Sequence, residues 1–328
     1  MAPLVLIGTV VTHLFGGSAG REGTAVQMGG SIADQLSKYI KFSEFERKLL
    51  IMSGISAGFA SVFGTPWAGA IFALEIVFIG KIKADAMLPT LLSALVASYV
   101  CDLWPITHTH YYITEVPVLG IESVGLVVFA SVLFGLASIG FSSGMHFLSS
   151  VFKKYINNML FRPVVGGVIV AGLGYLLGYE YLGLGVPTIV ESFTEQQGGE
   201  VFIIKLVLTV ITLSAGFKGG EVTPLFFVGA TLGSALSLVL PLPVSLLAGI
   251  GFVAVFSGAT NAPLACAIMG LELFGFDAAI FIFIACFVAF YISGNTGIYS
   301  SQIIGRKKHP LLKGDIGKRL SELMFTLK

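Results

Sequence analysis

Charge is scarce in this sequence, and the scarcity is uneven. Only 11% of the residues are Asp, Glu, Lys or Arg, where soluble domains run near about 25%. Lys and Arg are absent altogether between Lys83 and Lys153, and again between Lys218 and Arg306. Each gap is long enough to cross a bilayer more than once at about 20 residues per helix. With 55% of the residues hydrophobic, an ordinary soluble core is excluded. The apolar runs are continuous rather than alternating, which speaks against a transmembrane β-barrel. A net charge of +1 offers no footprint for nucleic acid. The three cysteines, Cys101, Cys266 and Cys286, are scattered among apolar residues and read as buried free thiols. The opening MAPLVLIGTVVTHLF has neither the basic n-region nor the cleavage site of a signal peptide. What remains is an all-α polytopic membrane protein whose first partner is the lipid bilayer.

Basic residues cluster at Lys38 to Lys48, Lys81 to Lys83, Lys153 to Arg162, and from Arg306 onward. Positive-inside bias puts these, and hence the C-terminus, in the cytoplasm. The stretches Asp102 to Glu122 and Glu180 to Glu200 carry acids without Lys or Arg and are expected outside. THTHYY (107–112) lies in the first of them; two His at i, i+2 with no further ligand nearby read as loop, not metal site. Helices are predicted near 2–16, 22–38, 46–62, 66–79, 86–104, 118–150, 163–178, 201–216, 223–239, 244–258, 263–273 and 276–293, with a short one from 298. Several are too short to cross alone and are interrupted by Gly or Pro, the pattern of re-entrant or half-spanning helices.

The chain resembles itself. PWAGAIFALE (66–75) and PLACAIMGLE (263–272) share six of ten positions. Upstream, GREGTAVQMGG has a looser partner in GGEVTPLFFVGATLG (219–233), in the same order and at nearly the same spacing. Two homologous halves built from broken helices are a plan of secondary transporters and related channels, with the site where the repeats meet. We read residues 1–104 as the first repeat, 105–117 as an extracellular loop, 118–305 as the second repeat with a pore-lining last helix, and 306–328 as a cytoplasmic tail. The second half has far more apolar sequence ahead of its motif than the first. Equal halves would need about 80 further residues before Met1, so the first repeat is expected to be incomplete.

GGSAGREGTAVQMGGSIAD (16–34) places Arg21 and Glu22 in a glycine-rich break between apolar and helical sequence. A helix start offers unpaired N–H groups and a positive dipole end, and binds anions without a cationic side chain. Gly20-Arg21-Glu22-Gly23 falls at one such start, and Gly219 to Thr223 at a second. Two starts from two repeats, aimed at one point, make an anion site. A carboxylate at membrane depth is costly and usually functional. Glu22 is expected to occupy the site as a tethered anion and to leave it on protonation. The plain alternative is an acid in the first helical turn, serving only the dipole.

GREG before a helix, the GGEVTP element and the repeated PxAxAIxxLE resemble the CLC family of chloride channels and anion/proton antiporters. The family's common forms are GREGP or GKEGP, and GxFxP; GREGT and GGEVTP are closer to its bacterial fluoride/proton antiporter branch. The resemblance implies inverted-topology repeats, a homodimer in the cell membrane, and fluoride or chloride and protons as partners, without cofactor or metal. It places Glu22 at the gating glutamate, Gly20, Arg21, Gly23, Val222 and Thr223 at the anion-binding helix starts, and Tyr299 at the pore tyrosine. The family's pore-serine motif has no counterpart here. Where chloride/proton antiporters carry an internal proton-relay glutamate, this chain has Ile76. Glu75 and Glu272 end matching helices, and as a symmetric pair are expected to accept backbone N–H bonds. Glu221 either pairs locally with Lys218 or lines an entrance.

The function expected is therefore anion transport, with fluoride export coupled to proton entry and Glu22 as gate. The alternative within the family is a chloride channel or chloride/proton exchanger. A membrane-embedded enzyme is the remote alternative, since 16–24 matches neither GxxxxGK[ST] nor GxGxxG. A hydroxyl at Thr223 is suited to fluoride, which needs strong donors to replace its water.

Overall fold

The computed structural model describes residues 1–105, 107–309 and 316–325. The first half comprises α1 (Ala2–Leu14), α2 (Glu22–Leu36), α3 (Glu44–Phe63), α4 (Pro66–Glu75), the two-residue strand β1 (Phe78–Ile79) and α5 (Met87–Asp102). Then come α6 (Ile121–Tyr155), α7 (Phe161–Leu177), α8 (Val186–Glu191), α9 (Gly199–Ser214), α10 (Val222–Leu236), α11 (Val244–Thr260), α12 (Pro263–Phe274), α13 (Ala279–Ile292), β2 (Ile303–Ile304) and α14 (Leu320–Phe325). Two stretches, Ala84–Asp102 and Ile121–Tyr155, are long and apolar enough to cross a bilayer. Most of the others are shorter, as the interrupted sequence predicts.

The internal repeat is visible in the backbone. Helices α2 and α10 each run 15 residues, and each packs against the helix that follows it. Both following helices end in a left-handed residue, Gly64 (φ 67°, ψ 26°) and Asn261 (φ 60°, ψ 33°). A non-helical residue and a helix-starting proline come next in each case, Thr65-Pro66 and Ala262-Pro263. Gly adopts that conformation without cost. Asn261 tolerates it while its amide donates to Thr296 O at 3.0 Å and to Gln302 Oε1 at 2.9 Å. Glycine also sets the helix crossings. A Cβ on Gly29 would meet the carbonyl oxygen of Gly54, and one on Gly229 that of Gly251, so both pairs cross backbone on backbone. Helices α6 to α8 have no counterpart among the described residues of the first half.

The core lies in the second half. Every residue of α11 from Ser245 to Thr260 is buried, as is nearly all of α10. By contrast α1, α5 and α7 turn Leu4, Leu88 and Val168 outward at 66–73% exposure, an apolar surface suited to lipid. Several buried hydroxyls are satisfied inside their own helices: Thr212 donates to Leu208 O, Thr231 to Phe227 O and Thr260 to Phe256 O, at 2.7–2.8 Å. Without water these groups would otherwise be costly.

Three expectations are corrected. The helix predicted over 66–79 stops at Glu75, because Phe78 and Ile79 pair in parallel with Ile303 and Ile304. No helix forms from 298, so the pore-lining last helix is absent there. That backbone bonds instead to neighbouring elements: Ile298 N–H to Ala259 O, and Ile303 N–H to Val77 O. Gln302 reinforces it, donating to Thr260 O at 2.7 Å and Ile76 O at 2.9 Å. Finally, the segment Glu180 to Glu200 contains the short helix α8, which opens on Gly185 and Pro187. In the expected tail (306–328), 310–315 and 326–328 lie outside the described residues.

Candidate functional site at the meeting of two helix starts

The loops before α2 and α10 join in a two-residue antiparallel bridge. Gly20 N–H donates to Gly220 O at 2.7 Å, and Gly220 N–H to Gly20 O at 2.6 Å. A Cβ on Gly220 would fall 2.6 Å from Gly23 N, so the approach needs glycine. The bridge sets two helix N-termini side by side. The first four N–H groups of each lack intrahelical acceptors, and their dipoles present partial positive charge.

Glu22 lies between these starts, 8% exposed. Its Oε2 accepts Arg21 N–H at 2.9 Å and also the hydroxyl of Thr223, the second residue of α10. One carboxylate oxygen thus holds to both repeats. The Arg21 guanidinium stands 3.9 Å from Oε1 with its side chain 74% exposed, so solvent screens it and the backbone amide is the closer partner. Glu221 makes the reverse reach, with Oε2 alongside Gly23 at the start of α2. Among the described residues it forms no ion pair with Lys218, whose chain lies against Gly8 of α1. Tyr299 lies within electrostatic reach of Glu221.

The expected residues Gly20, Arg21, Glu22, Gly23, Val222 and Thr223 are therefore brought together. Gly20 departs from its expected part. Its N–H is committed to Gly220, so it pins the two loops rather than donating to a ligand. The Arg21 amide is occupied by the Glu22 carboxylate. Glu75 and Glu272 accept backbone amides, each from the other repeat. Glu75 takes Leu264 N–H at 3.3 Å and Ala265 N–H at 3.0 Å, and Glu272 takes Trp67 N–H at 3.0 Å and Ala68 N–H at 2.8 Å.

Sequence reasoning passed over three neighbours. Lys205, in the apolar run VFIIKLVLTVITL, is wholly buried. It donates to Tyr181 O at 3.0 Å and Gly183 O at 2.7 Å, and sits 5.1 Å from the Phe227 ring centre. Ser18, two residues before Gly20, shares Tyr181 O and bonds Thr209 at 3.0 Å. A lone cation in such a run was the available signal. Tyr111, in the loop after α5, stacks on Phe193 and lies tilted against Phe252, within electrostatic reach of Glu22.

The sequence profile of the family described as Voltage gated chloride channel matches residues 1–294. This chain belongs to that family. Its members are channels or transporters, and the chain is accordingly a multi-pass helical membrane protein of the CLC fold. It is 50% identical over 316 residues to a chloride/fluoride channel protein of Pseudomonas syringae pv. tomato, covering 94% of this chain and 70% of that one. A voltage-gated ClC-type chloride channel ClcB of Salmonella typhimurium is 27% identical over 304 residues, covering 88% and 71%. Among solved structures, a CLC-type fluoride/proton antiporter superposes with a TM-score of 0.88 at 39% identity, over 92% of this chain and 76% of that one. A slow cyanobacterial Cl−/H+ antiporter shares the fold, with a TM-score of 0.71 at 21% identity over 89% and 72%.

Proposed function

We propose that this CLC protein exports fluoride in exchange for entering protons, with Glu22 as both gate and proton carrier. The observation that carries the reading is the Glu22 carboxylate lying across two helix starts. A carboxylate there holds the place of a transported anion. Protonation removes its charge, weakens its hold on the Arg21 amide and the Thr223 hydroxyl, and leaves those donors to fluoride. Fluoride loses strongly held water on entry, and a hydroxyl beside the backbone amides of Val222 and Thr223 offsets part of that loss. The names and similarity of the relatives favour fluoride, and Ile76 argues against the proton route of chloride/proton exchange.

The basic clusters support a cytoplasmic C-terminus, and the family resemblance supports a homodimer with one pathway per subunit. The test is efflux from liposomes, with fluoride and chloride compared and pH recorded. Fluoride efflux well above chloride, with proton movement lost in Glu22→Gln, is the expected result. Equal or chloride-favouring flux would instead assign a chloride channel or exchanger.

A further inference from the structure

Proton transfer beyond Glu22 needs a second base, and the structure offers one in the last turn of α1. His13 Nδ1 lies 2.8 Å from the carbonyl oxygen of Thr9. A carbonyl only accepts, so Nδ1 carries the hydrogen, and Nε2 of the neutral ring is a bare lone pair. That nitrogen is buried and has no hydrogen-bond partner among the described residues. A histidine placed only for packing would leave such an atom in water or paired.

Its position gives the lone pair a use. Helix α1 packs on α2. Thr9 and His13 are one turn apart and share a face of α1. On that face the Thr9 hydroxyl meets the hydroxyl of Thr24 at 2.9 Å, two residues beyond Glu22. His13 lies within electrostatic reach of the Glu22 carboxylate. The charged groups at this end of α1 and α2 are Glu22 and Arg21 from the start of α2, Glu221, whose Oε2 lies alongside Gly23, and Lys218, whose side chain packs on Gly8.

From this geometry we propose that His13 is the proton partner of Glu22, taking at Nε2 the proton that the carboxyl gives up. The proposal rests on Glu22 being the proton carrier. In the step one proton moves, directly or through a water. The carboxylic acid becomes a carboxylate, the imidazole becomes an imidazolium, and no electrons are exchanged. The restored carboxylate then returns to the Arg21 amide and Thr223. Ile76 can bear no proton, so a partner for Glu22 must come from elsewhere in the chain, and the bare Nε2 of His13 is the base this geometry offers.

The test uses the full chain in liposomes, recording outward fluoride and inward protons together over a range of pH. Asn at position 13 keeps an N–H for Thr9 O but has no base where Nε2 stood. His13→Asn is expected to slow coupled transport at least tenfold and to remove one ionisation from the pH profile. Glu22→Gln is expected to abolish coupling. A second readout needs no turnover. In 15N NMR of histidine-labelled protein in nanodiscs, the His13 signal, identified by its loss in His13→Asn, should titrate differently in Glu22→Gln. A His13→Asn protein with wild-type rate and pH profile, or a His13 titration unmoved by Glu22→Gln, overturns the proposal. Coupled transport surviving in Glu22→Gln would show that the reading of Glu22 had failed, and the proposal with it.

Discussion

The hydroxyl of Thr223 donates to the carboxylate of Glu22 across the boundary between the two repeats, so the start of α10 holds a side chain that belongs to α2. Removing that hydroxyl frees the carboxylate and also takes away a donor for fluoride. Thr223→Ala should therefore slow fluoride efflux by roughly tenfold to a hundredfold, the scale of a hydrogen bond to a charged group at about 1.5–3 kcal/mol. Chloride efflux should change less. Thr223→Ser should restore most of the rate. Equal losses for both anions would remove Thr223 from any part in selectivity.

Glu75 and Glu272 each cap the other repeat's helix start. Glu75 is the more buried of the two, 6% exposed, and should matter more. Glu75→Ala leaves the amides of Leu264 and Ala265 unpaired in a dry site and is expected to cost about 2–4 kcal/mol. Glu272→Ala should cost less. Thermal unfolding in detergent would read both, and a larger loss for Glu272 would contradict the ranking by burial.

The glycine crossings separate close approach from mere flexibility. A methyl on Gly229 would run into the Gly251 carbonyl, while one on Gly140 of α6 would meet nothing within 4 Å. Gly229→Ala should lower stability by at least about 1–3 kcal/mol, or prevent folding. Gly140→Ala should be neutral or slightly stabilising, because Ala is the better helix former. Expression yield and monodispersity of the two variants would distinguish them.

Lys205 satisfies two buried carbonyls that hold the turn after α7 against the loop carrying Ser18. Lys205→Met keeps the bulk and removes the donors. It should lower the unfolding temperature by an amount matching roughly 2–3 kcal/mol, from leaving buried carbonyls unpaired. A stability unchanged in Lys205→Met would mean that water replaces the ammonium there.

Much of this was legible in the sequence because membrane helices announce themselves through missing charge, and because the repeat compares two halves directly. Pro66 and Pro263 marked two helix starts to the residue, and GREG located the carboxylate that lies between the starts of α2 and α10. The segment after 298 misled because its Ile and Tyr residues suit a helix as well as a strand, and only tertiary partners decide. Gln302 reaches two distant carbonyls, and no local pattern reveals that. The Gly20 amide was assigned to a ligand for the same reason: the partner that claims it, Gly220, lies in the other repeat. His13 looked like one more residue of an apolar helix until its second nitrogen was seen to be buried and unpaired.

The crossed caps also bear on how such a chain is made. Helix α4 needs the carboxylate of Glu272, which lies some two hundred residues downstream. At ribosomal rates that residue arrives about 10–40 s later. During the interval the first amides of α4 have no acceptor, and hydrocarbon offers none. The first half is therefore expected to wait at the insertion machinery or the bilayer surface, with α4 seating only once its mate emerges, so that the second half times the maturation of the first.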